Sequence, residues 1–183
     1  MTGEGLVIAE TALEQGTFAL RAVDPAADAG LVHAWMNDPE VAEYWEMAQP
    51  RERITAYLRE QVGSAHSTPY IGCVDGTPMS YWEVYRADLD PLRHHGPVRL
   101  RDAGVHLLLG PSAYRGRGLG AALLRAVSDW LLRTDPYAGR VVAEPDVRNE
   151  RSVRAFERAG FRLDRQIELP GKRAAFMVRE RTA

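Results

Sequence analysis

A glycine-spaced basic turn is the part of this sequence best suited to bind a charged ligand. It reads Arg115-Gly116-Arg117-Gly118-Leu119-Gly120 and lies between the apolar run Val105–Leu109 and an amphipathic pattern that predicts a helix. Glycine lets the backbone turn tightly and approach a ligand closely. The first turn of a helix presents unpaired N–H groups to anions, and arginine suits phosphate oxygens. The stretch therefore predicts a strand, a phosphate-binding turn and a helix, with a plain connecting turn as the alternative.

Two residues near this turn could transfer a proton. His106 lies inside the preceding apolar strand, and an imidazole can accept a proton near neutral pH. Asp146 lies in the segment Glu144–Asn149, between the next predicted strand and its helix, where loops place polar groups over a cleft. The alternative for His106 is a hydrogen-bonded core residue, and the alternative for Asp146 is an ordinary helix-capping residue.

Hydrophobic periodicity and turn residues predict the elements that position these side chains. The predicted helices are Pro25–Met36 (begun by Asp24), Val41–Trp45, Arg51–Val62, the helix after the glycine turn, and Val153–Ala159. The predicted strands are Thr17–Ala22, Pro69–Val74, Met79–Tyr85, Val105–Leu109, Arg140–Glu144, Phe161–Ile167 and Ala174–Val178, with hairpins over Asp75-Gly76 and Pro170-Gly171. This order predicts a mixed α/β domain around one sheet. We expect residues 1–16 to form a loose N-terminal arm and residues 17–183 to form a single domain.

The composition excludes several classes of protein. The 183 residues are 45% hydrophobic and 26% charged, which is typical of a globular domain. A net charge of −2 argues against nucleic-acid binding, and no apolar run approaches the roughly 20 residues of a transmembrane helix. Cys73 is the only cysteine, so neither an internal disulfide nor a thiolate metal cluster is expected. With no secretory signal in view, we expect a cytoplasmic protein without a bound metal.

The glycine turn, R-x-x-G-x-G, resembles the pyrophosphate loop of the GCN5-related N-acetyltransferases (GNAT). Asn149 and Ser152, followed by Gly160-Phe161, are similar to the N-x-x-S…G-F segment of the same family. The resemblance implies the GNAT fold, a central and largely antiparallel sheet that is splayed at the acyl-CoA site and flanked by helices. It also implies acyl-CoA as the cosubstrate. The cofactor-binding residues that it implies are Leu107, Leu108, Leu109, Arg115, Gly116, Arg117, Gly118, Leu119, Gly120, Asn149 and Ser152.

The first half of the chain narrows the resemblance to siderophore-biosynthesis acyltransferases, which acylate a hydroxylated lysine or diamine to a hydroxamate. The similar segments are Val32–Pro39, Tyr44-Trp45, Tyr81–Arg86, Asp102–Gly110 and Glu144–Asn149. In that family a histidine and an aspartate form the catalytic pair, which implies His106 and Asp146 here. The substrate-binding residues that the resemblance implies are His33, Trp35, Trp45, Trp82, Glu83, Tyr85 and Asp102. Core packing is the alternative for the tryptophans, and Glu83 and Tyr85 could be outward strand residues without a ligand.

One position departs from the family pattern. Many relatives carry a tyrosine on the last helix that protonates the departing CoA thiolate, and Phe156 stands at the matching position. The proton must then come from another residue or from water, or the thiolate leaves without one.

The resemblance implies direct transfer of an acetyl or succinyl group, in a ternary complex, to hydroxylated lysine, ornithine or cadaverine. Asp146 is the expected proton acceptor, and His106 orients the substrate or serves as the alternate base. Cys73 has no predicted position near the site, so an acyl-enzyme is not expected. The alternatives are a non-catalytic acyl-CoA-binding regulatory module and an aminoglycoside N-acetyltransferase. The carboxylates available for such a polycation are Asp38, Glu40, Glu43 and Glu46. The sequence indicates no oligomeric state.

Overall fold

The computed structural model describes residues 7–182, and within them the chain forms eight strands of one sheet and five α-helices. The strands are β1 (Val7–Leu13), β2 (Gly16–Ala22), β3 (Ser67–Val74), β4 (Thr77–Arg86), β5 (Ala103–Leu109), β6 (Arg140–Ala143), β7 (Arg162–Leu169) and β8 (Lys172–Glu180). The α-helices are α1 (Pro25–Met36), α2 (Pro39–Trp45), α3 (Arg51–Gly63), α4 (Leu119–Thr134) and α5 (Glu150–Arg158). The strand order is β1-β2-β3-β4-β5-β6-β8-β7. The predicted mixed α/β class is confirmed.

The chain divides into two compact units. The first runs to Glu83 and takes in Leu107–Arg115, and the second consists of Val84–His106 and the residues from Gly116 onward. Strands β4 and β5 each contribute residues to both units. The single domain predicted over residues 17–183 stays a prediction. Among the described residues, no helix combines the length and the apolar character needed to cross a membrane.

Helix α1 organises the first unit, and it begins and ends where the sequence predicts. Asp24 caps its N-terminus by accepting hydrogen bonds from the N–H groups of Ala26 (2.9 Å) and Ala27 (3.2 Å). Pro25 stands at the first helical position, where a missing N–H costs nothing. The buried residues that α1 shares with α3 and β3 in one core cluster include Val32, Trp35, Met36, Ile54, Leu58 and Ile71.

Strand β1 corrects the expectation of a loose arm over residues 1–16. Its residues pair antiparallel with β2, with Ala12 opposite Thr17 and Leu13 opposite Gly16. The strand is the first in the sheet order and has one neighbour. Such an edge strand can be held by backbone hydrogen bonds without a strong apolar pattern, and for that reason the sequence did not predict it. The residues before Val7 lie outside the described residues.

The two predicted hairpin turns are confirmed. Asp75 and Gly76 join β3 to β4 with φ angles of 46° and 78°, and two consecutive positive φ angles are the mark of a type I′ turn. Pro170 and Gly171 join β7 to β8, with Leu169 opposite Lys172.

The second unit contains a short parallel pairing of β5 with β6. Its register places Ala103 opposite Val141 and Gly104 opposite Val142. All four residues of β6 are buried, as expected for a central strand covered on both faces. Helix α4 buries the apolar face that the sequence predicts, which includes Leu123, Leu124, Val127 and Leu131.

Candidate active site

The glycine turn leads directly into α4. Gly116 and Gly118 adopt positive φ angles of 72° and 75°, a region that residues with a Cβ disfavour. A Cβ at either position would meet nothing within 4 Å. Glycine is therefore favoured here by the backbone conformation and not by a lack of space for a side chain. Helix α4 begins at Leu119, which leaves the N–H groups of its first turn without helical partners. With the exposed Arg117 beside it, this turn suits an anionic group.

Arg115 differs from the prediction, because the protein itself binds its guanidinium. Nε donates to the carbonyl of Leu109 (3.1 Å), and Nη2 donates to that of Gly110. Nη1 and Nη2 also donate to the carboxylate of Asp38 (3.2 and 3.1 Å), and Nη1 donates to Glu40 (3.4 Å). These bonds use all five N–H donors of a guanidinium, and the side chain is 12% exposed. Arg115 therefore fastens the start of α2 to the end of β5 and has no donor left for a phosphate.

His106 and Glu144 form a hydrogen-bonded pair between the imidazole Nε2 and the carboxylate Oε1. The sheet register explains the contact. Gly104 lies opposite Val142, and each member of the pair follows two positions later, so both side chains emerge on the same face. The hydroxyl of Tyr85 donates to the second oxygen of Glu144 at 2.7 Å. The three side chains form one hydrogen-bonded group.

Gly104 makes room for the ring of Tyr85 in this hydrogen-bonded group. Its ring centroid lies 4.8 Å from that of His106, and the side chain is buried. A Cβ on Gly104 would lie 2.1 Å from Cζ of the Tyr85 ring, which is far inside any allowed contact. Gly104 thus leaves the space that the ring fills.

The charges around Glu144 keep its carboxylate ionised. Burial acts to raise the pKa of Glu144, but the charge and hydrogen bond of His106, the hydroxyl of Tyr85 and the ammonium of Lys172 outweigh burial and hold that pKa below its usual value. An ionised carboxylate can only accept a hydrogen bond, so Nε2 of His106 carries the hydrogen of this bond, and in the neutral imidazole Nδ1 is then the nitrogen that can take up a proton.

The carboxylate of Asp146 is bound by Arg148 of the same loop. Its carboxylate accepts the main-chain N–H of Arg148 at 2.8 Å and the guanidinium of the same residue at 2.7 to 3.1 Å. The hydrogen bonds from the Arg148 guanidinium outweigh burial and lower the pKa of Asp146. The structure thus brings His106 to Glu144 and Asp146 to Arg148. The catalytic roles of His106 and Asp146 stay predictions.

In the first unit, two of the predicted substrate-binding residues meet at Tyr81. Its hydroxyl donates to Oε1 of the buried Glu83 at 3.0 Å, and Tyr57 donates to the same oxygen. Burial, reinforced by the charge of Glu83, raises the pKa of both phenols, so both remain donors. Trp45 packs edge-on against Tyr81 with 5.8 Å between ring centroids. This group joins a carboxylate to three aromatic rings.

Three other predicted substrate-binding residues lie inside packed structure, and their binding roles stay predictions. Trp82 is fully buried, and its Nε1 donates to the serine two residues before it. Trp35 belongs to the core of the first unit, and its ring lies so close to Gly110 that a Cβ there would approach it to 2.2 Å. Asp102 is 1% exposed and accepts two hydrogen bonds of 2.8 Å from Arg140. This burial is what the core-packing alternative for the two tryptophans predicts.

The remaining predicted residues have local surroundings that leave their binding roles as predictions. Asn149 caps α5, and its Oδ1 accepts the N–H of Ser152 at 3.1 Å. Leu108 is buried, whereas Leu107 and Leu109 are partly exposed. His33 is half-buried on α1.

The sequence does not identify two residues of this site, Glu144 and Lys172. It does predict that position 156 lacks an acid. Glu144 stands in the same segment as Asp146, and the strand register would have singled it out. Lys172, which donates to the main-chain carbonyl of Glu144 at 2.8 Å, is the only lysine in the sequence. Phe156 is buried and packs edge-on against Phe161 at 5.1 Å, so its position supplies no proton.

Comparison with known proteins identifies the family. Residues 24–169 match the family described as an acetyltransferase (GNAT) domain. The N(6)-hydroxylysine O-acetyltransferase of Escherichia coli is 37% identical over 163 residues, which cover 89% of this chain and 52% of that protein, so the chain spans about half the length of this relative. Lysine N-acyltransferase MbtK of Mycobacterium sp. (strain MCS) is 33% identical over 165 residues, which cover 90% of this chain and 68% of that protein.

Two solved structures share the fold. An uncharacterized protein from Bacillus halodurans matches with a TM-score of 0.87 at 31% identity, over 95% of this chain and 91% of that one. AAC(6′)-Ib in complex with paromomycin and acetyl-CoA matches with a TM-score of 0.79 at 27% identity, over 90% and 93%. The fold predicted from the sequence is therefore confirmed, and the chain belongs to the GNAT acetyltransferase family.

Proposed function

We propose that the protein is an acyl-CoA-dependent N-acyltransferase that transfers an acetyl or succinyl group to the hydroxylamine nitrogen of a hydroxylated lysine or related diamine. The hydrogen-bonded pair of His106 and Glu144 carries the proposal, because a module that only binds acyl-CoA would not need a base held by an ionised carboxylate. The relatives named for hydroxylysine and lysine acylation support the acceptor class. Acetyl-CoA in a structural relative supports the donor.

The chemistry needs one base and good alignment. The lone pair of the hydroxylamine nitrogen attacks the carbonyl carbon of the thioester, so that a C–N bond forms and the C–S bond breaks. The nitrogen is largely unprotonated near neutral pH, so the base has to remove a proton only as the bond forms. We assign that proton to Nδ1 of His106, with Glu144 orienting the ring and stabilising the imidazolium. Asp146 is a weaker base because Arg148 lowers its pKa.

The CoA thiolate can leave although α5 carries no tyrosine that could protonate it. Phe156 has no proton to give, and a CoA thiolate is a stable enough anion to leave without one. The proton taken from nitrogen then reaches the thiolate or the solvent. The reaction we propose is direct transfer in one ternary complex, and an acyl-enzyme has no support from Cys73, which is buried in the core of the first unit.

The surroundings of α2 favour a hydroxylated amine over an aminoglycoside. An aminoglycoside is a polycation and needs several available carboxylates. Asp38 and Glu40, two of the four carboxylates available near α2, bind the guanidinium of Arg115. The hydrogen bond from Arg115 also lowers the pKa of Asp38. The charge of this pair is thus balanced within the protein, which leaves Glu43 and Glu46 exposed.

The decisive experiment measures thiol release from acetyl-CoA and succinyl-CoA with hydroxylated lysine and hydroxylated cadaverine, each beside its unhydroxylated parent, and with kanamycin. We expect turnover with the hydroxylated acceptors only, and its loss in His106→Ala. The product should form a coloured Fe(III) complex, which an N-acyl hydroxamate gives and an O-acyl ester does not.

Three results would contradict the proposal. Turnover with kanamycin alone would establish the aminoglycoside alternative. An O-acyl product would keep the acceptor but move the new bond from nitrogen to oxygen. Tight acyl-CoA binding without turnover on any amine or hydroxylamine would establish the non-catalytic module.

A further inference from the structure

The sole lysine of the sequence lies against the segment that carries both candidate carboxylates. Lys172 is the first residue of β8 and follows Gly171, whose φ of 82° makes the hairpin turn. Its Nζ donates to the main-chain carbonyl of Glu144 at 2.8 Å. Among the described residues this is its one hydrogen bond, so the ammonium keeps two further donors beside the site.

The segment after β6 is held to β8 by a short ladder of bonds. Ala175 donates its N–H to the carbonyl of Pro145 at 2.8 Å, and Val147 donates to the carbonyl of Arg173 at 3.0 Å. Asp146 lies opposite Ala174 as an isolated bridge between these bonds. The same register continues from the pair of Ala143 and Met177 and places Glu144 opposite Phe176, so the bond from the Lys172 side chain crosses the ladder to reach Glu144, whose own side chain orients His106.

We propose that Lys172 is a positioning residue for the acyl transfer, in which its ammonium fixes the backbone of Glu144 against β8 and places a positive charge beside the segment that carries Glu144 and Asp146. The inference rests on the acyl transfer proposed above. Lys172 acts through Glu144 and Asp146 and does not touch the reacting atoms. Lys172 is the only residue of the sequence that carries its charge on a flexible four-carbon side chain, since the other basic residues are arginines and histidines.

The charges that face the two carboxylates come from several elements. Glu144 is faced by His106 of β5, Tyr85 of β4 and Lys172 of β8, and all three lower its pKa against the effect of burial. Asp146 is faced by Arg148 of its own loop and by Lys172, both of which lower its pKa. Loss of the ammonium should therefore raise the pKa of both carboxyl groups.

The first test compares Lys172→Met, Lys172→Arg and Arg173→Met. Arg173 is the adjacent residue of β8, and its side chain pairs with Glu168 at 2.6 Å, so its loss is a matched charge control. We expect Lys172→Met to lower kcat by about tenfold or more and to move the acidic limb of the kcat/KM profile to higher pH. Lys172→Arg should restore the limb, and Arg173→Met should leave it in place. An unmoved limb in Lys172→Met, or an equal movement in Arg173→Met, would overturn the proposal.

The second test does not depend on the substrate. Because the pKa of Glu144 is lowered in the folded protein, this group stabilises the fold above its unfolded pKa, and the contribution is lost as the pH falls through the folded value. Lys172→Met should then melt below the wild type at neutral pH, and the two melting temperatures should converge in acid. A deficit that is the same at every pH would mean a merely structural lysine. If Lys172→Met does not fold, Lys172→Gln, which keeps a donor without the charge, replaces it.

The two proposals can fail separately. A wild-type protein that leaves all hydroxylated acceptors untouched would end the proposed function, and the melting curves would still decide whether the charge of Lys172 stabilises the ionised Glu144.

Discussion

Glu144 accepts a hydrogen bond from Nε2 of His106 at the point where two neighbouring strands have just ceased to pair. The relationship is fixed by register, because both residues stand two positions beyond the pair of Gly104 and Val142. Because the backbone pairing sets this register, replacing the side chain of Glu144 leaves the position of His106 unchanged. The role of the carboxylate can therefore be tested by changing Glu144 alone.

Replacement of Glu144 by glutamine should lower kcat by about a hundredfold or more. The amide has no charge to stabilise an imidazolium, and it can donate to Nε2 and so favour the wrong tautomer. Thiol release at saturating substrate measures the loss. Glu168→Gln is the matched control, since Glu168 is an exposed partner of Arg173. Activity of Glu144→Gln close to that of the wild type would remove Glu144 from the mechanism.

His106→Gln and Asp146→Asn should separate the two candidate bases. Because Arg148 lowers the pKa of Asp146, we expect His106→Gln to cost about a hundredfold in kcat/KM and to abolish its acidic limb, and Asp146→Asn to cost less and to keep the limb. The pH dependence of kcat/KM is the measurement. The reverse pattern would return the role of base to Asp146, as the sequence predicts.

Arg115→Lys should destabilise the protein by about 1–3 kcal/mol. A lysine ammonium cannot reproduce the five bonds that hold Asp38, Glu40, Leu109 and Gly110. Arg117→Met should instead raise the KM for acyl-CoA and leave stability almost unchanged, since Arg117 is exposed beside the glycine turn. Thermal unfolding and KM are measured for both variants. A raised KM with unchanged stability in Arg115→Lys would mean that this arginine binds phosphate after all.

Asp102→Asn should cost about 3–5 kcal/mol of stability, because it leaves a buried guanidinium without its counter-charge. Both side chains of the pair with Arg140 are 2% exposed. Urea unfolding measures the loss, and the double variant with Arg140→Met should recover part of it. If Asp102→Asn unfolds like the wild type but binds the acceptor more weakly, the sequence-based role of Asp102 in substrate binding is restored.

The sequence predicts the local elements well where a short-range cause sets them. Asp24 and Pro25 fix the start of α1 through capping, and Asp75-Gly76 fixes a hairpin through positive φ angles. Strand β1 escaped prediction because its pairing with β2 is a backbone interaction at the edge of the sheet. The causes that act over a few residues are readable in one sequence, and the pairing of distant strands is not.

The site shows the same division. The glycine turn was readable because two glycines and a helix start act locally. The contact of His106 with Glu144 cannot be predicted from the sequence because it depends on the register of β5 against β6. The ion pairs of Arg115 cannot be predicted either, because they depend on where α2 lies. The two alternatives for Trp82 stay open for a related reason, since the sequence does not distinguish a buried face of a central strand from one that meets a ligand.

The near absence of lysine has a practical consequence for handling the protein. Dyes, cross-linkers and activated resins that react with primary amines find one side chain to modify, since the other basic side chains are arginines and histidines. That side chain is Lys172, whose nitrogen lies against the Glu144 carbonyl. Coupling through an amine side chain would therefore attach the reagent beside the backbone of Glu144, the residue that orients His106.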